Sequence, residues 1–170
     1  MLKMISATTN DLAKIIKLYD DCKQVLKRQG IFQWDELYPN QEIYLEAISN
    51  NAQYLFLDDE LFVGVVILSE SQSEEWQTVA WKYCNQKTLA IHALAISPAT
   101  QGKGYGQQVL ELCEAYAVDK GYQVMRLDAC SENPVALGLY EKNGYQQAGV
   151  VSYIIKPVGH QLYYCYEKLL

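Results

Sequence analysis

Three glycines alternate with single residues in the segment 101–106, which reads Gln-Gly-Lys-Gly-Tyr-Gly. An apolar stretch that ends at Ser97-Pro98 precedes the segment, and a helix-like stretch begins near Gln107. Glycines let the backbone approach a ligand closely, and the start of a helix offers free N–H groups and the positive end of its dipole. The segment therefore predicts a loop that binds a phosphate-containing ligand.

Two common nucleotide-binding loops do not fit this spacing. A Walker A loop requires Gly-Lys followed by a serine or threonine for magnesium, but Lys103 is followed by Gly104. A dinucleotide fingerprint requires a third glycine at position 107, where the chain has Gln107. ATP, GTP and dinucleotides are therefore not the expected ligands.

The remaining pattern is Gln-x-x-Gly-x-Gly, formed by Gln101, Gly104 and Gly106. The stretch Leu94-Ala-Ile-Ser-Pro98 comes before it, and Asn133-Pro-Val-Ala-Leu-Gly-Leu-Tyr-Glu-Lys-Asn-Gly-Tyr145 comes after it. In this order the three segments resemble the donor-binding segments of the GNAT superfamily of acyl-CoA-dependent N-acetyltransferases, and the whole pattern is similar to bacterial members of unassigned substrate. The alternative, that the glycines only turn the chain into a helix, stays open.

Composition limits the other function classes. A chain of 170 residues that is half apolar predicts one domain, residues 1–170, with a substantial core. The net charge of −6 without a basic run argues against nucleic acid as a partner. Five scattered cysteines and two distant histidines do not predict a metal site. The chain has neither the apolar core of a signal peptide nor a spanning segment, so we expect no membrane association and a cytoplasmic protein.

Hydrophobic periodicity and turn residues predict the elements that position the loop. Helices are predicted near residues 12–29, 41–49, 106–120 and 134–142, and strands near 54–57, 61–68, 89–96, 123–130, 145–155 and 161–168. This order predicts an α/β fold with a mixed sheet. The resemblance implies a single-domain GNAT-like fold in which helices flank a mixed central sheet and strands four and five splay apart to admit the pantetheine arm.

The resemblance also implies which residues bind acetyl-CoA. The backbone of Leu94, Ala95 and Ile96 would bind the acetyl carbonyl and the pantetheine, because in relatives this strand bulges. Asn133 would hydrogen-bond the pantetheine arm, although an N-cap before Pro134 explains the same residue. The loop residues that would hold the pyrophosphate are Gln101, Gly102, Lys103, Gly104, Tyr105, Gly106 and Gln107, among which Lys103 is equally well explained as a solvated side chain.

Acetyl transfer to an amine needs a proton donor for the departing thiolate and a base for the amine. The resemblance places Tyr140 as the acid, and its alternative is a packed aromatic residue. His92 and Glu70 are the candidate bases, with a structural strand histidine and a surface glutamate as their alternatives. Cys130 would allow a covalent route, but no base is visible beside it, so direct attack in a ternary complex is expected.

The acceptor pocket of relatives corresponds here to Phe32, Trp34, Tyr38 and Tyr153. These aromatic residues either clamp an amine or pin a loop to the core. An acidic rim at Asp35, Glu36 and Glu70 would favour a small cationic amine. Acetylation of a protein N-terminus or lysine, and a non-catalytic acyl-CoA-binding module, remain open, as does a homodimer formed through the C-terminal strands.

Overall fold

The computed structural model describes all residues from 1 to 170 and contains four α-helices and seven β-strands. The helices are α1 (Leu12–Arg28), α2 (Gln41–Ser49), α3 (Tyr105–Asp119) and α4 (Pro134–Lys142). The strands are β1 (Leu2–Ser6), β2 (Gln53–Asp58), β3 (Leu61–Ser69), β4 (Thr88–Ile96), β5 (Val124–Cys130), β6 (Gln146–Ser152) and β7 (Leu162–Leu169). Two short 3-10 helices span Thr9–Asp11 and Glu74–Thr78.

All seven strands belong to one mixed sheet in the order β1-β2-β3-β4-β5-β7-β6. The pairs β1/β2, β2/β3, β5/β7 and β6/β7 are antiparallel, whereas β4 and β5 are parallel. The parallel register joins Thr88, Leu89 and Ala90 to Val124, Met125 and Arg126, near the beginning of each strand. These pairings confirm the predicted mixed α/β fold.

The chain forms two compact units. The first comprises residues 1–68 and 92–113, and the second comprises residues 69–91 and 114–170. Strand β4 is divided after Ile91, so its beginning belongs to the second unit and its end to the first.

The core of the first unit lies under one face of α1. Ile15, Leu18, Tyr19 and Cys22 recur at helical spacing on this face and are buried with side chains of α2, β2 and β3. The carboxylate of Asp11, just before α1, accepts hydrogen bonds from the backbone and the hydroxyl of Thr8 at 2.7 and 2.9 Å. At the other end, Gly30 has a φ of +75°, which ends the helix.

The core of the second unit forms around Trp76, Cys130, Val151, Tyr163 and Cys165. Residues 70–87, which link β3 to β4, are held onto β5 and β7 by charged side chains. The buried Arg126 guanidinium lies 4.2 Å from the Trp81 ring and donates to the Tyr83 carbonyl, and the Glu167 carboxylate accepts from the Lys82 N–H at 2.7 Å. These contacts fix a connection whose sequence is mostly polar.

Three features differ from the sequence prediction or were missed by it. Strand β1 pairs with β2 although its five residues are too few for a clear alternation signal. The 3-10 helix Glu74–Thr78 lies between β3 and β4, where no element is predicted from the sequence. Strand β6 ends at Ser152, because the Lys156 N–H donates a hydrogen bond to the Tyr153 carbonyl and starts the turn toward β7.

None of the four helices has both the length and the hydropathy needed to cross a bilayer.

Candidate functional site

The backbone of β4 is distorted at Ala93. This residue has a φ of +47°, a left-handed conformation that residues with a Cβ rarely adopt and that costs about 1–2 kcal/mol. The burial pattern changes at the same place, from three buried residues before His92 to three half-buried residues from His92 to Leu94. The distortion lies immediately before Leu94, Ala95 and Ile96, whose backbone is predicted to contact the acyl donor.

Side chains of α1 and of the glycine loop that follows β4 donate hydrogen bonds to backbone carbonyl groups in the second half of β4. The Tyr19 hydroxyl donates to the Ala93 carbonyl at 2.7 Å, and the Cys22 thiol donates to the Ile96 carbonyl at 3.4 Å. Gln101 also reaches back, since its Nε2 donates to the Ile96 carbonyl at 3.1 Å. The first residue of the glycine loop is thereby attached to the end of the distorted strand.

The glycine loop has the backbone conformation that its composition predicts. Gly102 and Gly104 have φ values of +77° and +80°, and no atom lies within 4 Å of the position that a Cβ would take at either residue. Residues 101–104 are exposed, and α3 begins at Tyr105 with no acidic residue in its first turn. The Tyr105 hydroxyl donates to the Asp58 carboxylate at 2.8 Å, which anchors the loop where it enters the helix.

This arrangement fits a pyrophosphate group. Open space over two glycines and the unpaired N–H groups at the start of α3 suit an anion, and no carboxylate in the first turn opposes it. The exposed Lys103 adds a positive charge to the same loop. Because the predicted donor strand leads into this loop, the first unit contains two of the three predicted donor-binding segments.

In the second unit, Asn133 caps α4. Its side-chain oxygen accepts from the Ala136 N–H at 3.1 Å, and Pro134 occupies the first helical turn. The N-cap role considered for Asn133 is therefore present. Its predicted contact with pantetheine stays a prediction.

Tyr140 lies on α4 with its side chain buried among aromatic rings. Its ring centroid is 5.8 Å from that of Tyr145, edge to face, and 6.2 Å from that of Tyr166. Tyr166 is itself held by Glu141, whose carboxylate accepts from its hydroxyl at 2.8 Å. Packing thus fixes the ring of Tyr140, so the packed aromatic role considered for this residue is present, and its role as the acid stays a prediction.

The two candidate bases have different surroundings. His92 is half-buried and directly precedes the distorted Ala93. Glu70 is exposed just after β3, and its carboxylate accepts from the Tyr122 hydroxyl at 2.7 Å. This hydrogen bond raises the pKa of Tyr122 to about 12. Glu70 therefore already has a hydrogen-bond donor in the second unit.

The predicted acceptor residues of the first unit lie on a firmly held segment, residues 31–39. The Lys23 ammonium and the Tyr44 hydroxyl both donate to the Pro39 carbonyl, at 2.6 and 2.9 Å. The Asp35 carboxylate accepts from the backbone N–H of both Leu37 and Tyr38.

The three aromatic residues of this segment differ in exposure. Trp34 packs edge to face on Tyr19, with ring centroids 5.6 Å apart, and Tyr38 is half-buried. Phe32 is 41% exposed, the largest exposed fraction of the three. Trp34 therefore contributes to the core, whereas Phe32 has a ring with which a ligand could make contact.

Tyr153 belongs to a hydrogen-bonded group in the second unit. Its hydroxyl donates to the Asp128 carboxylate at 2.5 Å and shares a hydrogen bond of 2.9 Å with the Ser73 hydroxyl. The Trp76 indole donates to the same carboxylate oxygen at 2.8 Å. Burial, together with the charge of Asp128, raises the pKa of Tyr153 well above its usual range. Asp128 thus joins residues 73–76 to the end of β6.

Cys130 has the properties of a core thiol. Its side chain is buried, and burial raises the pKa of the thiol, so the nucleophilic thiolate is disfavoured. The chain contains no group of three or more histidine, cysteine, aspartate or glutamate side chains that could hold a metal ion.

Sequence reasoning missed Tyr19. In the sequence it is one of several apolar-face residues of α1, and nothing in the spacing distinguishes it. Its contact with Ala93 spans 74 positions of the chain and exists only in the folded protein.

Comparisons with known proteins show what the chain is similar to. The family model described as the acetyltransferase (GNAT) family matches residues 12–145. The uncharacterized N-acetyltransferase YesJ of Bacillus subtilis is 27% identical over 146 residues, which are 84% of this chain and 81% of that protein.

Two solved structures show the same fold. A GNAT-family acetyltransferase of Streptococcus agalactiae has a TM-score of 0.85 at 20% identity, with 99% of this chain and 95% of that one covered. The spermidine N-acetyltransferase of Vibrio cholerae, in complex with CoA and spermine, has a TM-score of 0.71 at 21% identity, with the same coverage of 99% and 95%.

Proposed function

The chain belongs to the acetyltransferase (GNAT) family, and on that premise we propose that it transfers an acetyl group from acetyl-CoA to the primary amine of a small molecule. One observation carries the proposal. The distorted end of β4 leads directly into an exposed loop with two left-handed glycines, and α3 begins where that loop ends. This sequence of elements suits a ligand that carries a thioester at one end and a pyrophosphate further along.

The proposed donor contacts in the first unit are mostly with the backbone. Leu94, Ala95 and Ile96 would bind the acetyl carbonyl and pantetheine through main-chain groups, and the loop from Gln101 to Gln107 would bind the pyrophosphate. N–H groups near the thioester carbonyl would also stabilise the negative charge that develops on its oxygen. In the second unit, Asn133 would hydrogen-bond the pantetheine arm.

The proposed chemistry is direct attack without an acetylated enzyme. Acetyl-CoA supplies an activated acetyl group. The acceptor reacts as the neutral amine, because an ammonium ion has no lone pair and must first release a proton to water. The amine nitrogen forms a bond to the carbonyl carbon, the carbon–sulfur bond breaks, and the nitrogen gives up one proton. His92 or Glu70 would accept that proton, and the Tyr140 hydroxyl would donate a proton to the sulfur as it leaves. The burial of Cys130 supports direct attack over a covalent route.

A small cationic amine is the proposed acceptor class. The chain has a net charge of −6, which favours a cation, and the exposed Phe32 precedes the acidic pair Asp35 and Glu36 in the same segment of the sequence. The spermidine N-acetyltransferase that shares the fold acts on such an amine.

Thermal unfolding with acetyl-CoA, free CoA, NAD and ATP tests the donor site, because a ligand that binds only the folded state raises the midpoint. We expect acetyl-CoA and free CoA to raise the unfolding midpoint, and NAD and ATP to leave it unchanged. Release of free thiol is then measured with monoamines, polyamines and peptides as acceptors. Turnover with small amines supports the proposal. Turnover with peptides alone would contradict the acceptor class, and binding without thiol release for any acceptor would contradict the enzymatic function.

A further inference from the structure

We propose that Tyr19 is a positioning residue for donor binding, because its hydroxyl orients the peptide unit that carries the Leu94 N–H. This inference rests on the proposed function. Tyr19 lies in the middle of α1, has no exposed surface, and donates a 2.7 Å hydrogen bond to the Ala93 carbonyl.

The reasoning follows from the planarity of the peptide bond. The Ala93 carbonyl and the Leu94 N–H belong to the same trans peptide unit, in which the two groups point in opposite directions. A hydrogen bond that holds the carbonyl toward α1 therefore holds the Leu94 N–H away from α1. Leu94 is the first of the three residues whose backbone is proposed to bind the donor.

The conformation of Ala93 makes this restraint necessary. Its φ of +47° is unfavourable for alanine, so the peptide unit would rotate toward a more common conformation unless a contact opposed the rotation. A second side chain of α1 makes a similar contact. The Cys22 thiol, one helical turn after Tyr19, donates a hydrogen bond to the Ile96 carbonyl. Two side chains of α1 thus hold the distorted segment at both ends.

Tyr19 is itself held in place. Its ring stacks on Tyr44 with centroids 4.6 Å apart and an angle of 3°, and the Trp34 ring packs against its edge. Burial also raises the pKa of Tyr19 well above its usual range, so the hydroxyl keeps the proton that it donates. The position of the Ala93 carbonyl therefore depends on the aromatic core of the first unit.

The test compares Tyr19→Phe with Tyr54→Phe. Tyr54 is also buried in the first unit, and its hydroxyl donates to the Asn51 carbonyl at 3.0 Å, so each variant loses one hydrogen bond to a backbone carbonyl. We expect similar decreases of the unfolding midpoint. We expect only Tyr19→Phe to weaken acetyl-CoA binding in titration calorimetry, by about tenfold, which corresponds to about 1.4 kcal/mol.

Equal acetyl-CoA affinity of Tyr19→Phe and the wild type would overturn this inference, as would equal weakening in both variants. A wild type that does not bind acetyl-CoA would instead overturn the proposed function. A further measurement does not depend on the variants folding: in nuclear magnetic resonance spectra of the wild type, the Leu94 amide signal must shift when acetyl-CoA binds. An unchanged signal in a protein that binds acetyl-CoA would overturn the inference.

Discussion

Gly64 of β3 lies against the Ala95 carbonyl of β4 so closely that a Cβ on Gly64 would be 2.4 Å from the carbonyl oxygen. Real Cβ atoms essentially never come so near a backbone oxygen. The glycine is therefore required by the close approach of two backbones, and its own φ is not in the left-handed range. The approach occurs within the segment of β4 that we propose as the donor strand.

Gly64→Ala should lower the free energy of unfolding by about 3 kcal/mol, since relief of the clash requires movement of the backbone of β4. The control is Gly138→Ala in α4, where a Cβ meets no atom within 4 Å. That variant should raise stability by about 0.5–1 kcal/mol, because alanine favours a helix interior. Urea denaturation measures both. Unchanged stability of Gly64→Ala would show that β3 can move away from β4 at little cost.

Gly104→Ala should weaken acetyl-CoA binding by about tenfold, because the strained residue would change the backbone of the loop. Gly159→Ala is the matched control. The two glycines have φ values of +80° and +88°, and both have open space where a Cβ would lie. Both variants should lose about 1 kcal/mol of stability. Titration calorimetry separates them, and equal acetyl-CoA affinities would argue against a role for the loop in binding.

Tyr140→Phe should lower kcat by about a hundredfold or more, the typical contribution of a general acid, while the Kd for acetyl-CoA changes little. The aromatic packing remains in the phenylalanine variant, so stability should be nearly kept. Tyr145→Phe is the control, since its ring packs against Tyr140 in the same buried cluster. Steady-state kinetics with an active acceptor gives the comparison. Equal activity of Tyr140→Phe and the wild type would exclude Tyr140 as the acid.

Stability should fall at alkaline pH in part because of two buried cysteines. Burial raises the pKa of Cys22 and of Cys165 to about 12 in the folded protein, whereas an unfolded cysteine ionises near about pH 8.5. Below about pH 8.5 the two thiols are protonated in both the folded and the unfolded protein, so their ionisation does not reduce the free energy of unfolding. Between the two values only the unfolded chain loses the proton, so rising pH favours unfolding.

Unfolding midpoints from pH 8 to 11 measure this dependence. Cys22→Ala should make the decrease of the midpoint with pH less steep, because the variant lacks one of the buried thiols whose pKa is raised. If the midpoint falls equally steeply with pH in the wild type and in Cys22→Ala, the alkaline loss of stability comes from other groups.

Local sequence signals predicted most of the elements. The helix α2 lies at the predicted residues Gln41–Ser49, and α4 begins at Pro134, directly after the residue Asn133 that was considered as its N-cap. The hairpin of β2 and β3 follows from alternation on both sides of a short polar turn. Such signals depend on residues close together in the chain, so one sequence is enough to recognise them.

Contacts between distant segments could not be predicted in the same way. Strand β1 is recognisable only through its pairing with β2, and residues 70–87 are ordered by Arg126 and Glu167, which follow much later in the chain. Nothing in the local sequence showed that Trp34 would pack on Tyr19. The proposed roles of His92, Glu70, Tyr140 and the aromatic acceptor residues stay predictions.

Residue spacing was enough to predict the family and the left-handed glycines of the loop 101–106, because a tight glycine loop depends on residues that are close together in the chain. The way in which the strand before that loop is held became visible only in the folded protein. The left-handed conformation of Ala93, the hydroxyl of Tyr19 that binds its carbonyl, and the absence of a Cβ at Gly64 act together across three separate elements. Each is an ordinary residue in the sequence, and its importance arises from contacts that form only when the chain folds.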